Sequence, residues 1–309
     1  MVDIRDISDQ ATLHTLVLRL RRGAVELLAA RTTDPGFGPL EIVLLRVLRS
    51  GPRDTDSIRG LAALDMVTFS KSIRRLQRSG FVECYAGTHD RRRRLYALTD
   101  AGVGAEKRAT LASIATERAL LDPLAPRDRS LFMRLLTKLT LAHAVNGAVA
   151  QDPRIVAVLG GAIDPGTLLR RALQISAQFF DQHCGEFKLS PLEVAAVQGI
   201  GHFGPMAIKE LPRVLSIDRG SAFAIVAKLR SNGLLDDVAH DRRELALGRQ
   251  GVALRDRLVA CTGALEDQFL GVLGKAERPR FARVMRKLFV ALVAEPSPGR
   301  TASNQGQAI

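Results

Sequence analysis

LDMVTFSKSIRRLQRSGFVECYAGTHDRRRRLYALTDAG, residues 64–102, is the stretch from which the fold is read. Phe69, Ile73 and Leu76 recur at helical spacing, so one edge of a helix over 67–79 turns inward. Gly80 stands where such a helix would stop. FVECYAGTHDRRRRLYALT then offers two short β-prone runs around a polar, Gly-containing turn, which reads as a hairpin. Upstream, short helices are expected at 40–49 and 55–63. Two short helices of which the second exposes polar and basic groups make a helix-turn-helix, whose second helix fits the major groove of duplex DNA. An arginine-tipped hairpin suits the adjacent backbone or minor groove, where negative potential is concentrated.

On that second helix Thr68, Ser70, Lys71, Arg74 and Arg75 are left on the other faces, with hydroxyl and cationic groups able to reach base edges or phosphates. A solvated polar face on an ordinary helix accounts for the same residues. The run Arg91–Arg94 shifts the balance, because four adjacent like charges repel unless an anion is present. A solvated basic loop remains the alternative.

The same unit occurs twice in the sequence. Pro39-Leu40-Glu41 recurs as Pro191-Leu192-Glu193, an offset of 152. Gly51-Pro52 recurs as Gly204-Pro205, Leu64-Asp65 as Ile217-Asp218, Leu76 as Leu229 and Gly80 as Gly233, all at an offset of 153. His89-Asp90-Arg91-Arg92 returns as His240-Asp241-Arg242-Arg243, and Leu98 and Gly102 as Leu247 and Gly251. The drifts fall where loops are expected, as in a duplicated domain. Each copy opens on a long amphipathic segment, 7–30 and 165–185. In the second copy short helices are expected at 191–202, 206–214 and 219–231. Longer helices close the copies at 100–120 and 127–146, and at 249–272 and 276–294. The expected domains are 1–146 and 165–294, joined by a linker at 147–164 and followed by a disordered tail at 295–309.

Composition agrees with a partner of negative charge. The chain of 309 residues has 45 Lys+Arg against 32 Asp+Glu, a formal net charge of +13, and a polyanion, nucleic acid first, is the natural counterpart. Residues 1–150 hold 24 Lys+Arg and 16 Asp+Glu (24 − 16 = +8), and the remainder holds 21 and 16 (21 − 16 = +5). Cys84, Cys184 and Cys261 show no paired spacing, so neither a disulfide framework nor a zinc site is expected. With no signal-like N-terminus and no apolar run near 18 residues, a cytoplasmic protein that does not span a membrane is expected.

The chain resembles the MarR (multiple antibiotic resistance regulator) family. The residues that carry the resemblance are Leu64-Asp65, Leu76-x-x-x-Gly80-Phe81-Val82, Asp90-x-Arg92 and Leu98-Thr99-x-x-Gly102. The second copy keeps Ile217-Asp218, Leu229-x-x-x-Gly233-Leu234-Leu235, Asp241-x-Arg243 and Leu247-x-x-x-Gly251. It departs in having Gly248 for Thr99 and a hairpin four residues shorter, since Gly80 to Gly102 is 22 positions and Gly233 to Gly251 is 18.

The resemblance implies a mostly α protein with small β-wings: tandem winged helix-turn-helix lobes on a shared helical dimerisation-like core. Two family members are joined end to end, so a monomeric chain would form an intramolecular pseudo-dimer. It implies that Asp90 and Arg92, and likewise Asp241 and Arg243, shape the wings, with the arginine entering the minor groove. It further implies a transcriptional regulator, expected to be a repressor, released by a small anionic or phenolic ligand or by an oxidant.

The copies differ as readers. Where the first has Ser70, Lys71 and Arg74, the second has Phe223, Ala224 and Ala227, leaving Arg219, Ser221 and Lys228 for phosphate work. The second lobe is therefore expected to be weaker or altered in DNA contact, and the operator asymmetric. Alternatively Phe223 packs against protein and that lobe has left DNA. Phe179, Phe180, His183 and Cys184 end the second copy's first helix near the region where the family binds ligands, although core packing explains the phenylalanines equally.

Gly199-Ile200-Gly201-His202-Phe203-Gly204 matches a dinucleotide-binding pattern, but a helix precedes it and Pro205 follows, so that reading is set aside. No cofactor, metal or catalytic constellation is expected, and the chain is read as a non-enzyme. The rival readings are a nucleoid-type DNA binder without sequence preference, and a ligand- or protein-binding module that has lost DNA binding. Competition by unrelated DNA discriminates between the first of these and a specific regulator.

Overall fold

The computed structural model describes residues 3, 6–7, 13–32, 38–62, 64–87, 93–143, 165–215, 217–236 and 244–294. The expected linker 147–164 and tail 295–309 lie outside them. The chain divides into two compact units: residues 21–171 form one, and residues 1–20 with 172–295 form the other. They are called the first and second lobe here.

In the first lobe the order is α1 (Leu13–Ala29, from residue 21 on), α2 (Pro39–Leu48), β1 (Arg53–Asp54), α3 (Thr55–Ala62), α4 (Met66–Arg78), β2 (Val82–Ala86), β3 (Arg94–Leu98), α5 (Asp100–Leu121) and α6 (Pro126–Ala142). The sequence PLEIVLLRVL makes α2 apolar almost all round, as suits a helix enclosed by others. Accordingly Ile42, Val43, Leu44, Leu45, Val47 and Leu48 are all buried. Phe69, Ile73 and Leu76 of α4 are also buried, as the periodicity predicts, and the Phe69 ring meets Tyr96 of β3 edge-on at 5.7 Å. The antiparallel sheet has strand order β1-β3-β2, with Val82 opposite Leu98 and Ala86 opposite Arg94.

The second lobe has α7 (Pro165–Cys184, from residue 172 on), α8 (Pro191–Phe203), β4 (Met206–Ala207), α9 (Leu211–Leu215), α10 (Arg219–Ser231), β5 (Leu235–Asp236), β6 (Glu244–Leu247), α11 (Arg249–Leu270) and α12 (Glu277–Ala294). Its sheet order is β4-β6-β5, the same pattern as in the first lobe. The discounted Gly199–Gly204 segment lies in α8 and its C-cap, with no strand before it.

The helix expected at 206–214 is broken up. A two-residue strand and a single 3-10 turn (Ile208–Glu210) come first, and α-helix begins only at Leu211. Pro212 lacks an N–H and is tolerated only in a helix's first turn, so the helix cannot run back through it. The strands β1 and β4 had no sequence signal, because two residues carry no alternation to read.

Two glycine pairs explain the motif spacing. Gly80 and Gly233 end their helices at φ +71° and +68°, a region that side chains disfavour. A Cβ at Gly102 would sit 2.0 Å from the Phe81 carbonyl oxygen, and one at Gly251 2.1 Å from that of Leu234. Each long helix can therefore start against the turn that ends α4 or α10 only because a glycine stands there.

Each lobe also takes in the opening of a helix that belongs in sequence to the other copy. Arg171 donates to the Leu61 carbonyl at 3.0 Å and Arg170 to the Ala62 carbonyl, at the C-terminal end of α3. In the second lobe Arg19 donates to the Val214 carbonyl near the end of α9. Helix ends leave carbonyls unmet, and a guanidinium satisfies them.

The expectation that the cysteines stay unpaired is corrected. Cys184 and Cys261 are joined in a disulfide, with Cα atoms 6.1 Å apart, and Cys84 is free. The two residues are 77 apart in sequence, so no local spacing could reveal a pairing made by helix packing.

Candidate nucleic-acid interface and effector cleft

Helix α4 begins on an Asp65 N-cap, whose carboxylate accepts the Thr68 backbone N–H at 2.8 Å and the Thr68 hydroxyl at 2.7 Å. Those two bonds hold the Asp65 carboxyl below its ordinary pKa. Helix α10 repeats the arrangement, Asp218 accepting the Ser221 N–H at 2.8 Å and its hydroxyl at 2.6 Å. Thr68 and Ser221, predicted as DNA contacts, thus donate their hydroxyl protons to their caps, and only their oxygens remain as acceptors.

The outer face of α4 reads Val67, Ser70, Lys71, Arg74 and Arg78, one helical stripe at spacings of three and four. Lys71, Arg74 and Arg78 are exposed and Ser70 is half-buried. Arg78 was missed from sequence, although it continues the Lys71–Arg74 spacing by one more turn. Arg75 leans off the stripe toward buried Glu41, 3.7 Å away.

Helix α10 presents a different face. Arg219, Ser221, Ala224 and Ala227 are exposed, and Phe223 is 57% exposed, so Phe223 does not pack into its lobe. Lys228 is committed elsewhere: its Nζ donates to Glu193 of α8 at 2.9 Å. Burial by itself would raise the Glu193 pKa. The bond from Lys228 and the Ser190 N–H outweigh it, and the carboxyl is held below its usual value. Glu41–Arg75 and Glu193–Lys228 stand at corresponding positions, so in each lobe a buried glutamate braces the helix before the hairpin, α4 or α10.

In the first hairpin, Arg94 is exposed at the start of β3, and Arg93 pairs with Asp54 of β1 at 3.1 Å. The predicted wing residues Asp90, Arg91, Arg92, Asp241 and Arg243 lie outside the described residues. Five residue pairs join β2 to β3, whereas two join β5 to β6, in keeping with the shorter second hairpin. Thr99 caps α5 by accepting the Gly102 N–H at 3.0 Å and donates its hydroxyl to the Gly80 carbonyl at 2.6 Å. Gly248, its counterpart, offers no side-chain cap.

The second lobe contains a cleft of about 330 Å³ whose lining includes Arg19, Gln198, His202, Arg255, Val259 and Thr262. The first lobe's cleft, between α1, α2 and α5, is about 40 Å³. Small-molecule pockets start near 300 Å³, so only the former has room for an effector. Arg19 is 8% exposed, and its guanidinium carbon lies 4.7 Å from the centre of the Phe289 ring. Among the described residues, its Nε and Nη1 find no hydrogen-bond partner. Burial pushes its pKa down to about 10, and it stays cationic at neutral pH.

The predicted ligand residues are elsewhere. Phe179 meets Phe269 edge-on, Phe180 is buried, His183 bonds Gln268 and Cys184 is in the disulfide. None of the four lines either cleft, because the end of α7 packs against α11 instead. Among the described residues no cluster has the makings of a metal site, and no helix is long and apolar enough to cross a membrane.

No protein-family model matches the chain, and no curated protein matches it. Among solved structures it is similar to BpsR of Bordetella bronchiseptica, whose DNA binding is regulated by 6-hydroxynicotinic acid. That match has 27% identity and a TM-score of 0.38, and covers 40% of this chain and 93% of that one. It is also similar to the PcaV transcriptional regulator of Streptomyces coelicolor, solved with its natural ligand, at 25% identity and TM-score 0.36, over 39% and 85% of the two chains. A MarR family protein of Mycobacterium tuberculosis in complex with salicylic acid matches at 22% identity and TM-score 0.35, over 41% and 96%.

Proposed function

We propose that the chain is a sequence-specific regulator that binds duplex DNA as a single-chain pseudo-dimer, reading an asymmetric operator mainly through the first lobe. The observation that carries this reading is the cationic stripe Lys71–Arg74–Arg78 on an exposed, capped helix beside a hairpin, in a chain of net charge +13. The exchange of helix openings between the two units supports the pseudo-dimer. Phe223, Ala224 and Ala227 on α10 support the asymmetry, because they cannot make bidentate hydrogen bonds to bases, although they can touch a thymine methyl.

The cleft around Arg19 is the effector site in this reading. A buried cation with unmet donors suits a small planar carboxylate or phenolate, and ligand seated there releases DNA.

The test is a salt titration of affinity for a selected operator, with unrelated DNA as competitor. Arg92→Ala is expected to weaken binding more than Arg243→Ala, and to flatten the slope of log affinity against log salt by about one phosphate contact. Equal losses at the two positions contradict the asymmetry. Equal competition by unrelated DNA favours the nucleoid-type binder.

A further inference from the structure

Helices α4 and α10 hold corresponding places in their lobes. Each is capped by an aspartate, and each is followed by a glycine of positive φ. Their outward faces carry opposite patterns. Helix α4 opens on exposed Met66 and Val67 and continues with the cations Lys71, Arg74 and Arg78. Helix α10 opens on the exposed cation Arg219 and continues with Phe223, Ala224 and Ala227, all exposed. At the repeat offset of 153, Phe223 takes the place of Ser70, Ala224 that of Lys71 and Ala227 that of Arg74.

The inner side of α10 is held by Ala222, Ile225, Val226 and Leu229, so the Phe223 ring is not needed to seat the helix. The hydrogen-bonding side chains near it are engaged within the lobe. Ser221 donates its hydroxyl to Asp218 at 2.6 Å, and Lys228 donates its ammonium to Glu193 at 2.9 Å. Helix α10 therefore turns outward a ring flanked by short alanines, which leave it standing clear of the helix surface. Arg219 lies four residues earlier, on the same face.

Such a face has little with which to read hydrogen-bond donors and acceptors. What it can recognise on a base edge is the C5-methyl group, the apolar feature displayed in the major groove. Thymine carries that methyl and cytosine does not, but 5-methylcytosine carries it at the same ring position. A face blind to the difference between the thymine O4 and the cytosine N4 amino group accepts both methylated bases. Arg219 supplies the charge that holds a phosphate while the ring lies in the groove. That cation on the same face, in a chain of net charge +13, makes duplex DNA the occupant rather than an apolar protein surface.

We propose that the second lobe reads the pyrimidine C5-methyl group through Phe223, accepting thymine and 5-methylcytosine alike, so that cytosine methylation in its half-site strengthens binding. This deepens the DNA reading proposed above and rests on it. Burial of one methyl group corresponds to about three- to fivefold in affinity.

The experiment selects duplexes bound by the full chain from three randomised pools. One is ordinary DNA, one has 5-methylcytosine in place of cytosine, and one has deoxyuridine in place of thymine, which removes the methyl. The half-site whose preference survives Lys71→Ala belongs to the second lobe. There, ordinary DNA is expected to yield thymine at one or more positions. The methylated pool should yield thymine and 5-methylcytosine interchangeably at those positions, and the deoxyuridine pool should lose the preference. On a single selected duplex, 5-methylcytosine in place of cytosine at such a position should tighten binding about three- to fivefold. Phe223→Ala should remove that gain and should melt as the parent chain does, because the ring is exposed.

Equal affinity for methylated and unmethylated cytosine, an equal gain from methylation in the other half-site, or a gain that survives Phe223→Ala overturns the proposal and leaves the DNA reading standing. A chain that selects no sequence from any pool overturns the sequence-specific DNA reading, and the proposal with it.

Discussion

Replacing Lys71 and Arg74 together with alanine is expected to weaken operator binding about a hundredfold and to relax base preference in one half-site only. The two residues lie three apart on the exposed stripe of α4, so both lie on the same face of the helix. A bidentate base contact contributes about 1–3 kcal/mol of discrimination, and each 1.4 kcal/mol is a factor of ten. Removing two such hydrogen-bonding side chains at once therefore corresponds to about a hundredfold or more. The fold should not suffer, since α4 is held by Phe69, Ile73 and Leu76 and by its Asp65 cap. The matching change in the other lobe, Phe223→Ala, removes no hydrogen bond and should alter only thymine positions. Systematic base substitution across a mapped site reads both. Two halves that are equally intolerant and mirror-related contradict this view of the second lobe.

Arg19→Met is expected to stabilise the protein and, if the Arg19 cleft is the effector site proposed above, to abolish any response to a small aromatic carboxylate. The Arg19 pKa is lower folded than unfolded, so the fold disfavours its charged form. That cost is fully present below the folded value of about 10 and disappears as pH rises from there through the higher, ordinary value of an unfolded arginine. At neutral pH the methionine avoids it and leaves no donor unmet. The loss of the bond to the Val214 carbonyl and of the stacking on Phe289 offsets part of the gain. A net gain of about 1–3 kcal/mol follows from comparable replacements of buried charges by apolar side chains. Denaturant melts at pH 7, with and without salicylate, check it. A clear loss of stability, or an undiminished ligand response, contradicts the assignment of Arg19 to effector binding.

The parts of this architecture that follow a period were legible in the sequence. Phe69, Ile73 and Leu76 marked the inner edge of α4, and all three are buried. The glycines marked the helix ends and close approaches. Partnerships made in three dimensions were not legible. Thr68 and Ser221 looked like free hydroxyls until their aspartate caps were placed. Lys228 looked like a phosphate ligand, yet its partner Glu193 is 35 residues away in sequence.

The buried arginines were hidden for a similar reason. Arg19, Arg170 and Arg171 each reach a carbonyl more than 100 residues distant. Their one local signal was a charge inside an otherwise apolar helical stretch. The candidate ligand residues lie outside both clefts, because aromatic side chains at a helix end serve a core as readily as a pocket. The domain boundary read from the repeat also differs from the compact units, since residues 1–20 group with 172–295. Repetition records gene structure, whereas packing records which surfaces bury each other.

Whether one chain supplies both halves of a DNA reader is decided by mass. Light scattering or sedimentation of the free chain, and of the chain titrated onto a single selected operator duplex, counts the chains in each species. The expected mass is 33.6 kDa for the free protein, with one chain per duplex at saturation, at a salt concentration where unrelated DNA does not compete. A free species of twice that mass, or two chains on one operator, would contradict it.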